Sequence, residues 1–238
     1  MVKSLRICVG IATIGAMLGG CSGKEIKIDP TTRSILAGQQ DIPAIHYVPP
    51  PFAAQTPEVR NAASAGMLFG AVGGAIAGAV QASEAERIGS QLVRDYGLED
   101  PILKIKSSFL EGIARNSNIQ NLFSAQDVFV DDDPGQLKKK FQKGFVFDFK
   151  TTSWSLTPVP FGPNNYRVQY KGRARLLSFP DGKVEWQGVC ETDGKIESSA
   201  PTLLQLVANS GASLKTQLSS TSDSCSEQLE RQFMGSRP

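Results

Sequence analysis

The sharpest patterning in the chain is an alternation of apolar and polar positions between Phe145 and Thr192. Phe145, Phe147 and Phe149 alternate with Val146, Asp148 and Lys150, and the segment continues, after a change of phase, to Trp154 and Leu156, as a strand does across a bulge. From Tyr166 to Phe179 the period is cleaner. Tyr166, Val168, Tyr170, Ala174 and Leu176 share one face, and Arg167, Gln169, Lys171, Arg173 and Arg175 share the other. Pro180-Asp181-Gly182-Lys183 supplies a tight turn, and Val184 to Thr192 returns as the partner strand. Three long antiparallel strands with one covered face are therefore expected at the centre. The row of arginines reads as a solvated strand face balanced by Glu185 and Glu191 on the neighbouring strand, in preference to a site for acidic ligands.

Helical periods flank these strands. A charged helix is expected from Ser83 to about Asp95, with Ser83 as its cap and Glu84 and Glu86 in its first turn. Asp100-Pro101 opens another, whose apolar face carries Ile102, Ile105, Phe109, Leu110, Ile113 and Leu122. Pro201 to Ser219 carries a stripe of Leu203, Val207, Leu214 and Leu218, and Ser222 to Met234 adds Cys225, Leu229 and Phe233. The expected fold is an α/β domain of the α+β sandwich kind over residues 84–238, with a mainly antiparallel sheet and helices on one or both faces.

Asn61 to Ser83 holds no charge and places Gly66, Gly70, Gly74 and Gly78 four apart. On a helix these four share one face, where another backbone can approach closely. Each glycine costs about 1 kcal/mol of helix relative to alanine, so a bilayer or a tightly packed neighbour must offset the loss. A glycine zipper for membrane association or self-association is expected over residues 61–83. The alternatives are a buried or flexible Gly/Ala segment inside the domain and a short hairpin turning at Gly73-Gly74. Before it, residues 21–60 are rich in proline and lack an apolar period, which predicts an extended linker or strap. His46, the one histidine of the chain, falls in this stretch and is expected to be a loop residue without chemistry.

The first residues change the picture most. Lys3 and Arg6 precede the apolar run Ile7 to Leu18, which is too short to span a bilayer and ends in Leu18-Gly19-Gly20-Cys21. These residues resemble the signal of bacterial prolipoproteins. The resemblance implies removal of residues 1–20, a lipid on Cys21 and acylation of the new amine. Ser22 follows where an aspartate would favour retention in the inner membrane, so an outer-membrane location facing the periplasm is implied. Several acyl chains, at about 0.8 kcal/mol per buried methylene, hold such an anchor permanently.

Loss of Lys3 and Arg6 leaves 23 basic residues (25 minus 2) against 23 acidic ones. A balanced chain has no cation surplus with which to displace counterions from nucleic acid. Of four cysteines, Cys8 leaves with the signal and Cys21 carries the lipid. In an oxidising compartment Cys190 and Cys225 are expected to form a disulfide, since both fall on apolar faces turned toward the layer between helix and sheet.

Gly172-Arg173-Ala174-Arg175-Leu176-Leu177, Asp181-Gly182-Lys183 and Glu185-Trp186-Gln187-Gly188 are similar to the hairpin of periplasmic lipoproteins with a TolB N-terminal-like domain, a group that includes the curli-secretion lipoprotein. The resemblance implies a lipid-anchored α/β sandwich that binds other envelope proteins or assembles into rings, without catalysis. Candidate chemistry is sparse. Asp131-Asp132-Asp133-Pro134-Gly135 reads as an acidic turn, without the later bidentate glutamate of a calcium loop. No phosphate loop, zinc spacing or nucleophile elbow is present. The expected function is a non-catalytic interaction or assembly module of the envelope that uses no cofactor and engages lipid and other envelope proteins. The alternative is an oligomeric conduit or secretion component that inserts through its glycine zipper.

Overall fold

The computed structural model describes residues 24–56, 70–159, 162–193 and 200–235. Within them one six-stranded sheet is packed by helices. The N-terminal elements are α1 (Pro30–Ala37), β1 (Ile42–Tyr47), β2 (Ala53–Ala54), α2 (Gly70–Tyr96) and α3 (Ile102–Asn116). β3 (Leu122–Phe129), α4 (Pro134–Leu137), β4 (Gly144–Val159), β5 (Gly162–Phe179), β6 (Lys183–Thr192) and α5 (Leu203–Met234) follow. The strand order is β3-β1-β4-β5-β6, and β2 pairs with β4.

Strands β4, β5 and β6 are antiparallel, as expected, and Leu176 faces both Phe147 and Trp186. The change of phase ahead of Trp154 is a bulge, where the β4–β5 register shifts between Thr151 and Ser153. The sheet is nevertheless mixed: β1 runs parallel to both β3 and β4, and β2 runs parallel to β4.

This corrects the reading of residues 21–60 as a linker, for in its described part that stretch is built into the sheet. Pro30 opens α1, and the Asp29 side chain accepts from Thr31 N at 2.8 Å. Pro43 lies in β1 one residue before the pairing with β4 begins at Ala44, so its missing N–H is not needed on that side. Ile42, Ala44, Ile45 and Tyr47 are all buried. Six residues buried on both faces show no period, and the prolines around them hid the strand.

Three helix boundaries also differ from expectation, the first being that α3 ends at Asn116, so that Leu122, expected on its apolar face, opens β3 instead. Ser83 caps nothing, because α2 runs unbroken from Gly70 to Tyr96 and the Ser83 hydroxyl donates back to Val80 O at 2.9 Å. The helix stops at Gly97, whose φ of 57° suits a residue without Cβ. The C-terminal helical stretch divides at Ala208–Gly211, not near residue 220, and Thr202 with Gln205 forms a capping box at its start.

Helices α3 and α5 lie on one face of the sheet and close the main core. Phe109 sits at its middle, with the rings of Phe147, Phe149, Trp186 and Phe233 at centroid distances of 5.5, 5.4, 5.7 and 5.8 Å. Truncating such a residue costs about 3–5 kcal/mol. A disulfide joins Cys190 of β6 to Cys225 of α5, with Cα atoms 5.3 Å apart, and pins the last helix to the sheet. On the opposite face a smaller cluster of Ile45, Tyr47, Leu137, Val146, Leu177 and Phe179 is covered by the connection that carries α4.

Candidate functional site

The charged residues of β4 and β5 meet on this second face. Tyr47 donates to Asp148 Oδ2 at 2.7 Å, and Arg175 Nε lies 3.1 and 3.0 Å from the two oxygens of the same carboxylate. Arg175 also donates to Asp132 O at 2.8 Å, while Arg173 and Lys150 reach Asp132 Oδ2 at 2.9 and 3.1 Å. Burial opposes ionisation of Asp132, but Lys150 and Arg173 outweigh it and hold the carboxyl below its ordinary value. Burial, joined by the Asp148 charge, drives the Tyr47 phenol far upward.

The solvated arginine row is thereby corrected. Arg175 is buried, and the acidic turn at Asp131–Asp133 is its lid. Of the expected cross-strand balance, Lys171 does pair with Glu191 at 3.1 Å, whereas Glu185 holds Lys183 and Ser178. The network fixes the β3–β4 connection to the sheet, with both Asp148 oxygens and Asp132 Oδ2 answered by cations or the Tyr47 hydroxyl.

One further pair was not foreseen. His46 lies in β1, not in a loop, and its Nδ1 is 3.2 Å from Nζ of Lys106, which also donates to Ala125 O at 3.1 Å. Lys106 is only 3% exposed, and burial lowers its pKa. Burial, joined by the lysine's charge, lowers that of His46 as well. The signal was present: Ile102, Lys106, Phe109 and Ile113 share one helical stripe. Asp100 caps α3 by accepting from Ile102 N at 3.1 Å and accepts from Thr151 at 2.6 Å. Burial pushes its carboxyl up to about 6.

The two edges of the sheet contrast sharply. Along β6, Gln187 exchanges both backbone hydrogen bonds with Ile26, at 3.0 and 2.9 Å, and its side chain donates to Lys24 O at 2.7 Å. Further along, the Gln232 side chain from α5 donates to Val189 O and accepts from Val189 N. This edge is closed by a strap and by glutamine side chains. At the other end β3 pairs with β1 alone, and among the described residues no strand covers its outer side. Phe123, Val128 and, just beyond the strand, Val130 are 47%, 54% and 85% exposed. An open edge bearing large apolar side chains can accept a strand from another chain.

Cys21 and Gly66 fall outside the described residues. Gly70, Gly74 and Gly78 lie on the first turns of α2, which continues into a charged segment. Among the described residues no helix is long and apolar enough to cross a membrane. No family model matches the chain, and no curated protein matches it. Among solved structures it is similar to a PelC dodecamer subunit from Paraburkholderia phytofirmans, at 9% identity over 88% of this chain and 95% of that one, with a TM-score of 0.32. A putative lipoprotein from Caulobacter crescentus is 10% identical over 57% of this chain and 85% of that one, with a TM-score of 0.28. Lipoprotein GNA1162 from Neisseria meningitidis is 15% identical over 74% and 96%, with a TM-score of 0.23. All three likenesses are distant.

Proposed function

We propose that this chain is a non-catalytic interaction module of the cell envelope, held by lipid on Cys21 at the periplasmic face of the outer membrane. It engages an extended segment of another envelope protein along β3. The contrast between the sheet edges carries the reading: the β6 edge is sealed, while among the described residues the β3 edge keeps its outer side unpaired beside Phe123, Val128 and Val130. Main-chain hydrogen bonds would supply affinity there, and the three apolar side chains would select the partner. The ionisable groups on this face favour a structural role over turnover, since Asp148 and Arg175 are committed to each other and the Asp132 carboxylate to Arg173 and Lys150. Lys3, Arg6, the apolar run and Cys21 support the anchor.

Expression in a diderm host with a clickable fatty acid, beside Cys21→Ser, tests the anchor. A photo-crosslinker placed at Val128, with a second at Glu191 on the sealed side as control, tests the edge. Label on the parent alone, together with a discrete heterologous adduct from position 128 alone, is the expected result. Equal labelling of both chains removes the anchor, and adducts of equal yield from both positions remove the docking edge.

A further inference from the structure

Lys24, whose carbonyl accepts from the Gln187 side chain, is already fixed to the outer edge of β6. Ile26 then pairs with the backbone of Gln187. Only Ser22 and Gly23 separate Lys24 from Cys21, and three residue steps reach at most about 10 Å. That length excludes a stalk. A lipid at Cys21 draws the β6 edge down to the headgroups, a layer roughly 5–8 Å deep on each side of the hydrocarbon.

We infer that this domain sits flush on the bilayer with the β6 edge and its strap against the lipid headgroups, and that the β3 edge faces away from them. The inference rests on the lipid anchor proposed above. The residues around the strap suit such a surface. Lys27 and Arg231 line the groove between the strap, β6 and the end of α5, with Glu25 the one acid among its lining residues and Glu227 3.6 Å from Arg231 in an exposed pair. Lys24 is exposed beside them, and Ile26 is exposed for a large apolar residue. Cations beside an apolar side chain match phosphate headgroups over an acyl boundary. The sheet then sets the height of the docking edge. β3 stands four strand spacings from β6, or about 19 Å at 4.8 Å per spacing, so the apolar edge is presented to the compartment beyond the membrane.

The test uses the full lipidated chain in vesicles of phosphatidylethanolamine and phosphatidylglycerol that contain a nickel-chelating lipid. A nitroxide is attached through Arg231→Cys in one preparation and Ser124→Cys in another; both positions are solvent-accessible. Flotation with the vesicles reports the anchor, and relaxation of the nitroxide by surface nickel reports height. The expected result is flotation of both, with relaxation several-fold stronger at position 231. A long flexible Gly/Ser spacer inserted between Gly23 and Lys24 should erase that difference while flotation persists. Flotation with equal relaxation, or with stronger relaxation at position 124, overturns the seating and leaves the anchor standing. Failure to float overturns the anchor and the seating together.

Discussion

Asp148 of β4 and Arg175 of β5 stand directly opposite each other in the antiparallel register, and the guanidinium grips the carboxylate through both Nε and Nη2. The carboxylate is fully buried, with Tyr47 as its third partner. Removing one member leaves an uncompensated charge in the interior, so Arg175→Met should destabilise the chain by about 3–5 kcal/mol. The double variant Asp148→Leu with Arg175→Met should cost less than the single one. Urea unfolding of the three proteins measures the difference.

The disulfide between Cys190 and Cys225 closes a separation of 35 residues. Constraining the unfolded chain over that length contributes about 4 kcal/mol in the chain-entropy model. Cys190→Ser should therefore lower the urea midpoint under oxidising conditions and leave the attachment proposed at Cys21 unchanged. Equal midpoints for variant and parent would remove the constraint from the account.

Asp100 gives the stability a pH dependence. Its folded pKa of about 6 lies above the ordinary 3.8, through burial, so between those values the folded chain holds a proton that the unfolded chain has released. Stability from this group is thus complete below about pH 4 and declines as pH rises to about 6, by an amount of order 2–3 kcal/mol. Asp100→Asn keeps an oxygen for Ile102 N and Thr151, and should flatten this limb of the profile. Thermal melts of both proteins across that range provide the check.

At Gly89 the α2 helix touches the Phe52 backbone so closely that a Cβ would fall inside the Phe52 carbonyl. Alanine is worth about 1 kcal/mol more than glycine in a helix, yet backbone cannot yield as a side-chain tip does. Gly89→Ala should therefore be destabilising by about 1–3 kcal/mol, with α2 loosening from β2. Faster amide hydrogen exchange in 84–96 would report it.

Val128→Lys tests the open edge without disturbing the core. The position is more than half exposed, so folding stability should stay within about 0.5 kcal/mol of the parent. A charge on an edge strand opposes pairing with another chain, so the adduct expected from a crosslinker at Phe123 should be lost.

The long antiparallel strands were legible in sequence because apolar residues such as Tyr166, Val168 and Tyr170 line the face under the helices at period 2, while polar residues largely alternate with them on the other face. β1 was not, because Ile42, Ala44, Ile45 and Tyr47 are buried on both faces within six residues and Pro43 argued against a strand. The cysteine pair could be read from the two faces it occupies. The lid over the arginines could not: Asp132 and Arg173 are 41 positions apart, and sequence gives no measure of that meeting. The edge at β3 was equally hidden, since a strand's place in the sheet order is a property of topology and leaves no mark on its own residues.

The place of β1 between β3 and β4 has a bearing on the birth of the molecule. Its partners Leu122 and Phe147 are made long after it, so residues 24–56 leave a ribosome or a translocation channel with nothing to pair to. Closure of this part of the sheet must wait for distant chain, which slows folding.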